Sequence, residues 1–330
     1  MNPQHSVRPN RRNALAWLGC GAGAVMAQPT ASYPANKTVK IIVPFAAGAG
    51  TDAIGRLMAQ KLGEVMSASF VAENRSGASG AIGAQFVAQS PADGYTLLLV
   101  ASPFTTVAAS LPSAGYDPVA QFAPVGMIAS GPLVWATSSR LPISNLADVV
   151  KLARQKPGAL NYGSAGSGGI NHLVLELFKA RTKTFITHIP YRGVAPAVMD
   201  LIGGQIQLLT GTIPALLPFI REGRVRPLAV TSARRSSALQ WVPSMLESGF
   251  TGIDVVNYFA LMAPRQTPEP VVTALNGAIS KVVALPEVLA RFQADAVVAS
   301  AGSPESLRAF IAADYRGWRN AVKTQNLKID

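Results

Sequence analysis

Two glycine-rich turns, each placed between an apolar strand and a helix, constrain the fold of this chain most. The first runs from Phe45 to Asp52 and the second from Gly163 to Gly169. Such a turn leaves backbone N–H groups without partners at the positive end of the following helix, where an anion such as a carboxylate can bind. Because the turns lie over a hundred residues apart, they favour a site between two domains. The alternative is that the glycines serve turn geometry alone.

The N-terminus has the pattern of a secretory signal peptide. Arg8, Arg11 and Arg12 precede an uncharged, mostly apolar run that ends in small residues at Ala27. This run is too short to cross a bilayer, and no later stretch reaches the roughly 18 apolar residues that a membrane helix needs. We therefore expect a periplasmic protein that does not span the membrane, cleaved near Ala27 after export by the general or the twin-arginine route.

The composition argues against disulfides as a source of stability and against nucleic acid as a partner. Cys20 is the single cysteine and lies inside the predicted signal, so stability must come from an apolar core rather than from disulfides. The net charge of +12 raises nucleic acid as a partner, but the basic residues are scattered and form no stripe. Together with the predicted export, this scattered distribution excludes nucleic acid as a partner. It favours a positive electrostatic field that attracts small anions.

Strand and helix patterns alternate in two runs, which predicts two α/β lobes, each a mainly parallel sheet flanked by helices. Extended segments at 122–137 and 254–263 separate the runs and predict two crossovers that act as a hinge. An amphipathic helix over 304–324 should pack on a lobe. The predicted division is a signal peptide at 1–27, a first lobe at 33–128 plus 254–330, and a second lobe at 129–253.

Enzyme chemistry finds little support. Only His172 and His188 follow the signal, no residues have metal-ligand spacing, and neither turn matches a nucleotide-binding motif. Gly166, Ser167 and Gly168 approach the nucleophile elbow of a serine hydrolase, but that fold needs an acid and then a histidine much further downstream. We therefore expect no catalysis, metal or cofactor, and two histidines that serve packing and hydrogen bonding.

Two charged residues near the turns invite different roles. Asp52 opens the helix after the first turn, where its carboxylate can accept hydrogen bonds from backbone N–H groups of the turn. We expect it to hold the loop, because a carboxylate facing an anion would repel it. Arg192 is the better candidate for pairing with an anionic ligand, and solvation at the surface is its alternative role.

The chain resembles the substrate-binding receptors of tripartite tricarboxylate transporters, the Bug-type periplasmic proteins. The similarity extends through essentially all of the chain after the signal. The motifs that carry it are Ile41-Ile-Val-Pro-Phe-Ala-Ala-Gly, Thr51-Asp52, Glu73-Asn74-Arg75, Gly77-Ala78-Ser79-Gly80, Asp93-Gly94-Tyr95-Thr96-Leu97, Tyr162-Gly163-Ser164-Ala165-Gly166, His172-Leu173, Pro190-Tyr191-Arg192-Gly193, Gly203-Gly204-Gln205 and Leu228-Ala229-Val230-Thr231-Ser232.

This resemblance implies a two-lobed periplasmic-binding-protein fold of type II-like, Venus-flytrap form. It also implies a monomeric receptor that binds a small carboxylate in the cleft through backbone amides and water, and delivers it to membrane permease subunits. A ligand sensor for a signalling partner, or a serine hydrolase, are the alternatives. The binding residues that the resemblance implies are Phe45, Ala46, Ala47, Gly48, Thr51, Asp52, Ser164, Ala165, Gly166, Ser167, Arg192 and Gly193.

Overall fold

The strands and helices of the chain alternate much as the sequence predicts. A computed structural model describes residues 33–48, 50–327 and 329. The strands are β1 (Val39–Val43), β2 (Phe70–Asn74), β3 (Thr96–Ala101), β4 (Phe122–Ser138), β5 (Asn161–Ser164), β6 (Thr187–Pro190), β7 (Leu208–Thr212), β8 (Val225–Val230), β9 (Val256–Pro264) and β10 (Val298–Ala299). The helices are α1 (Gly50–Met66), α2 (Ala81–Ala88), α3 (Pro103–Ser110), α4 (Leu146–Gln155), α5 (Ile170–Thr182), α6 (Val194–Gly203), α7 (Ile213–Arg221), α8 (Glu269–Val283), α9 (Pro286–Ala294) and α10 (Pro304–Thr324).

The described strands form one mixed sheet in the order β2-β1-β3-β9-β4-β7-β5-β6, with β8 and β10 also pairing with β4. Strands β1, β2 and β3 are parallel, and so are β5, β6 and β7. The two parallel groups are joined through β4 and β9, which are antiparallel to their neighbours. Each half therefore has a parallel group of strands, as the sequence predicts, and the two crossovers are themselves paired strands that make the sheet continuous.

Both predicted crossovers are confirmed as extended segments. Strand β4 is 17 residues long and nearly all buried, and its register with β9 shifts at two places. Its first part pairs with β9, and its second part pairs with β7 and β8. Both crossovers therefore run side by side where one parallel group gives way to the other, which is where a hinge between lobes belongs.

Apolar side chains form separate clusters on the two halves of the sheet. One large cluster packs α1 and α8 against β1, β3 and β9, and another packs α4 and α5 against β5 and β7. Helix α10 contributes to both halves, since Leu307 and Ile311 pack with Tyr258 while Trp318 packs in the cluster of α5. The C-terminal helix therefore bridges the crossover region.

The signal peptide at 1–27 and its cleavage near Ala27 fall outside the described residues. The lobe boundaries at 128/129 and 253/254 stay a prediction. Among the described helices, no single one is long and apolar enough to span a membrane, although α8 and α9 together reach that length and composition with a bend of 73°.

Candidate functional site

Both glycine-rich turns lie at carboxyl ends of parallel strands, where open α/β sheets place their ligands. Strand β1 ends beside β2, with Val43 opposite Asn74, so the loop after β1 lies next to residues 75–80. In the other half, Ser164 at the end of β5 is opposite Pro190 of β6. The second turn therefore lies beside the segment that carries Arg192, and the sequence alone predicted both loops.

The structure places the predicted site residues at different depths. The second turn is buried at both ends and half-buried in its middle, whereas much of the first turn is open to solvent. Exposed are Ala46, Ala47, Gly48 and Arg192; half-buried are Phe45, Thr51, Ala165, Gly166, Ser167 and Gly193; buried are Asp52 and Ser164.

Asp52 holds the first loop, as the sequence predicts. Its Oδ2 accepts hydrogen bonds from the Gly48 N–H at 2.9 Å and from Arg56 Nε at 3.0 Å. Its Oδ1 accepts from Asn74 Nδ2 at 2.8 Å, and the same amide donates to the Phe45 carbonyl at 3.0 Å. The buried carboxylate thus ties the loop after β1 to the end of β2.

The environment of Asp52 keeps this carboxylate ionised. Burial by itself raises the pKa of Asp52, but the hydrogen bonds from Gly48, Arg56 and Asn74, together with the Arg56 charge, lower the pKa below its usual value. Because Arg56 compensates the charge, an anion near this loop meets less repulsion than an unpaired carboxylate would exert.

The buried Ser164 side chain bonds to the backbone of the second loop. Its Oγ lies 2.7 Å from His188 Nε2 and 3.2 Å from both the N–H and the carbonyl oxygen of Gly166. The side chain is fully buried, so its hydroxyl is engaged within the loop. Its predicted role in ligand binding stays a prediction, and the geometry favours an indirect role.

His172 fixes the far end of the same loop. Its Nδ1 accepts a hydrogen bond from the Gly168 N–H at 3.1 Å, and its ring stacks on His188 with 3.8 Å between centroids. Burial, and then the neighbouring His188 and Lys179, lower the pKa of His172 to about 3. The prediction of packed, hydrogen-bonded histidines is confirmed. His172 is neutral and stabilises the loop through its hydrogen bond to Gly168.

This lowered pKa predicts a pH-dependent stability. The imidazole of His172 protonates near pH 6.5 in the unfolded chain but only near pH 3 when folded, so acidification favours unfolding by up to ~1.4 kcal/mol per pH unit in that window. His172→Asn keeps an acceptor but does not titrate. Urea denaturation between pH 5 and 6.5 should show a shallower loss of stability for this variant. Equal slopes in the two proteins would contradict the buried neutral state.

The pairing of Ser164 with His188 resembles the nucleophile and base of a serine hydrolase. Sequence spacing did not reveal this pair, since it pointed to Ser167 and found no suitable histidine. A nucleophile has to reach a substrate carbonyl, and the Ser164 side chain is fully buried with its hydroxyl engaged. Proximity alone therefore does not make this a catalytic pair.

We accordingly expect no saturable ester hydrolysis by this protein. p-Nitrophenyl esters of short acids should be hydrolysed at the same slow rate by the wild-type protein and by Ser164→Ala and Ser167→Ala. A saturable rate that either substitution abolishes would establish catalysis and overturn this expectation.

The two halves of the site meet at a segment that the predicted site residues do not include. Ser79, in the loop after β2, donates its hydroxyl to the carbonyl of Ser167 at 3.2 Å. On its other side, a Cβ built on Gly80 would lie 3.4 Å from the Phe45 ring. Residues 77–80 thus connect the first loop to the second.

Glycine is required where the second loop approaches this segment. Gly166 has a φ of +133°, and a Cβ there would lie 2.7 Å from Ser79 Oγ. Gly168 has a φ of +72°, and a Cβ there would lie 2.8 Å from the Ser110 hydroxyl at the end of α3. A side chain at Gly166 would displace the Ser79 hydroxyl, and one at Gly168 would displace side chains at the end of α3.

Arg192 lies on the segment after β6, which runs beside the end of β5 where the second loop begins. Its segment follows β6 and leads through Gly193, with a φ of +109°, into the first turn of α6. Among the described residues, no carboxylate forms an ion pair with this exposed guanidinium. Its two predicted roles, pairing with an anionic ligand and solvation at the surface, both stay predictions.

A separate cavity lies near the crossovers rather than between the loops. It has a volume of about 480 Å³ and lies between α10, the C-terminal part of α5 and the start of β9. Asp314, Trp318 and Arg181 are among its lining residues. Its size suits a small molecule, so it is the physical alternative to the glycine-rich loops as a ligand site.

Comparisons with known proteins identify relatives along nearly the whole chain. Protein BugT of Bordetella pertussis is 35% identical over 325 residues, which cover 97% of this chain and 99% of BugT. A solved R. palustris protein with adipate is 36% identical and superposes with a TM-score of 0.82. The match covers 88% of this chain and 97% of the R. palustris protein. MatC from Rhodopseudomonas palustris with bound malate is 28% identical and has a TM-score of 0.81. The match covers 86% of this chain and 98% of MatC.

These and other structural matches, which include a periplasmic binding protein, confirm the two-lobed α/β binding-protein fold. The model of the family described as "Tripartite tricarboxylate transporter family receptor" matches residues 54–327 of this chain. That range contains the second loop, the Ser79 segment, Arg192 and both crossovers. The chain therefore belongs to the receptor family of the tripartite tricarboxylate transporters.

Proposed function

We propose that this protein is a periplasmic receptor that captures a small organic carboxylate between its two glycine-rich loops and delivers it to a membrane permease. The observation that carries the proposal is the meeting of the two carboxyl edges, where Ser79 contacts Ser167. Adipate and malate, the ligands of two relatives, support a carboxylate as the class of ligand.

We divide the site residues into two groups by what they contact. Asp52, Ser164 and His172 hold the loops, because each has a polar side-chain atom already bonded to loop backbone. The remaining polar groups are left for the ligand, namely the backbone N–H groups of the turns that these three residues do not bind and the Arg192 guanidinium. Backbone recognition suits carboxylates in general, so the shape of the cleft decides which acid is bound.

The binding claim is tested by calorimetry on the purified protein with mono-, di- and tricarboxylates, after a thermal-shift screen to rank them. The matched control for each binder is its methyl ester, which keeps the carbon skeleton and removes the charge. We expect saturable binding of at least one acid and none of its ester. Equal binding of acid and ester, or binding by no acid in the screen, would overturn the proposal.

Delivery to a permease is tested separately from binding. A strain that lacks this protein should lose uptake of the radiolabelled acid and regain it from a plasmid copy. Unchanged uptake, with loss of a transcriptional response to the acid, would instead establish a ligand sensor.

Export is tested on the protein from the periplasmic fraction. We propose that residues 1–27 are removed and that the receptor acts as a monomer. The intact mass should match a chain that begins at Gln28, and light scattering should give the mass of a single chain. An uncleaved N-terminus or a stable dimer would contradict this part.

A further inference from the structure

The segment that bridges the two loops has an unusual backbone. Gly77, Ala78, Ser79 and Gly80 have φ values of +136°, +46°, +52° and +100°. Glycine adopts such angles readily, but Ala78 and Ser79 are strained by them. In this conformation the Ser79 hydroxyl reaches the second loop and donates to the Ser167 carbonyl.

The contact it makes joins residues that are 88 positions apart in the chain. Ser79 follows β2, at one end of the sheet, and Ser167 follows β5 in the other parallel group. The neighbouring Gly166 leaves room for the Ser79 hydroxyl, because a Cβ at that glycine would lie within 2.7 Å of it. The second loop therefore supplies both an acceptor for the Ser79 hydroxyl and the space that this hydroxyl needs.

We propose that Ser79 is the closure residue of this receptor. Its hydroxyl binds the backbone carbonyl of Ser167 only when the lobes are closed, and so it stabilises the closed form relative to the open form. The proposal rests on the proposed function in one respect, since closure around a ligand gives the contact its purpose. Ser79 acts through the lobe equilibrium and is a positioning residue.

A closed-state contact has a defined effect on binding. A ligand enclosed by both loops leaves only when the lobes open, so a bond that exists in the closed form alone slows release. The net value of one hydrogen bond corresponds to about a fivefold change in an equilibrium constant. We therefore expect Ser79→Ala to release adipate, the probe, about fivefold faster than the wild-type protein.

Two variants separate closure from folding stability. Both Ser79→Ala and Ser79→Gly remove the hydroxyl, but glycine also relieves the positive φ, so only Ser79→Gly should raise the melting temperature of the ligand-free protein. Both should still release adipate faster, as measured by stopped-flow fluorescence. Ser76→Ala is the matched control, an exposed serine of the same loop, and should match the wild-type release rate.

The lobe equilibrium can be measured without any ligand. Spin labels on cysteines introduced at Gln60 of α1 and Lys151 of α4, in the chain from Gln28 on, which has no cysteine of its own, report the distance between the two halves by double electron-electron resonance. We expect both Ser79 variants to shift the distribution towards the open distance, with Ser76→Ala unchanged. Distances and release rates equal to those of the wild-type protein in both Ser79 variants would overturn the proposal.

These measurements also separate this proposal from the proposed function. If adipate and every other acid fail to bind, the receptor function fails, while the ligand-free distances still decide whether Ser79 closes the lobes. If acids bind but neither the distances nor the release rates respond to Ser79, only the closure proposal fails.

Discussion

Gly166→Val is expected to weaken carboxylate binding by at least about tenfold while the protein stays folded. The added Cβ would lie 2.7 Å from Ser79 Oγ, and the glycine has a φ of +133° that a β-branched residue adopts only under strain. Ser79 can rotate away, but it then gives up its bond to the Ser167 carbonyl. Calorimetry with the best acid of the screen measures the loss.

Two other glycines separate the causes of this loss. Gly48→Val introduces strain at a φ of +82° with no atom within 4 Å, so it should weaken binding through the first loop without a clash. Gly204→Val has the same kind of strain at a φ of +84° in an open position at the end of α6. It should destabilise the protein slightly and leave affinity unchanged. Wild-type affinity in both Gly48→Val and Gly166→Val would place the ligand elsewhere.

Asp52→Ala should remove the support of the first loop. Three donors, the Gly48 N–H, Arg56 and Asn74, lose their acceptor. The exposed Arg56 regains water, so the loss is smaller than the sum of three bonds to a charged group at about 1.5–3 kcal/mol each. We expect a stability loss of roughly 2–4 kcal/mol and at least about tenfold weaker binding. Urea denaturation and calorimetry measure the two effects.

Asp148→Ala is the matched control for Asp52. Asp148 lies in the first turn of α4 and accepts a hydrogen bond from the Ser144 N–H at 2.8 Å, in the half of the sheet that carries the second loop. Its loss should lower stability by about 1 kcal/mol and leave affinity as it is. If Asp52→Ala affected affinity no more than Asp148→Ala, the first loop would not be part of the site.

The pH dependence of the Asp52 contribution follows from its lowered pKa. The folded-state pKa lies below that of the unfolded chain, so the stabilisation is complete above about pH 4 and is lost as the pH falls through the folded value. Asp52 therefore adds no slope between pH 5 and 6.5. The slope that His172 causes in that window can be measured without interference from Asp52.

Much of the fold is readable from sequence because local pattern and tertiary structure agree. The predicted crossovers at 122–137 and 254–263 are β4 and β9, whose apolar, β-branched runs suit buried strands. Helices α3, α8 and α9 were not predicted. In α3, Thr105, Thr106 and Val107 are weak helix formers that are buried, so packing rather than propensity maintains that helix.

In the candidate site, only contacts between residues that are close in the sequence could be predicted. Asp52 and the Gly48 N–H lie four residues apart, so a helix-start rule finds their bond. Ser79 and Ser167, or Ser164 and His188, come together because strands β2, β5 and β6 bring distant loops to one place. A single sequence holds no record of such pairs, and the positive φ at Ser79 has no local signature either.

The central claim, that a carboxylate binds between the glycine-rich loops, is tested most directly by amide chemical shifts in a deuterated, ¹⁵N-labelled protein titrated with the tightest-binding acid. We predict that the amides of Ala46, Ala47, Ser79 and Ser167 shift in proportion to saturation. Shifts confined instead to Asp314, Trp318 and other residues around the 480 Å³ cavity beside α10 would contradict the account.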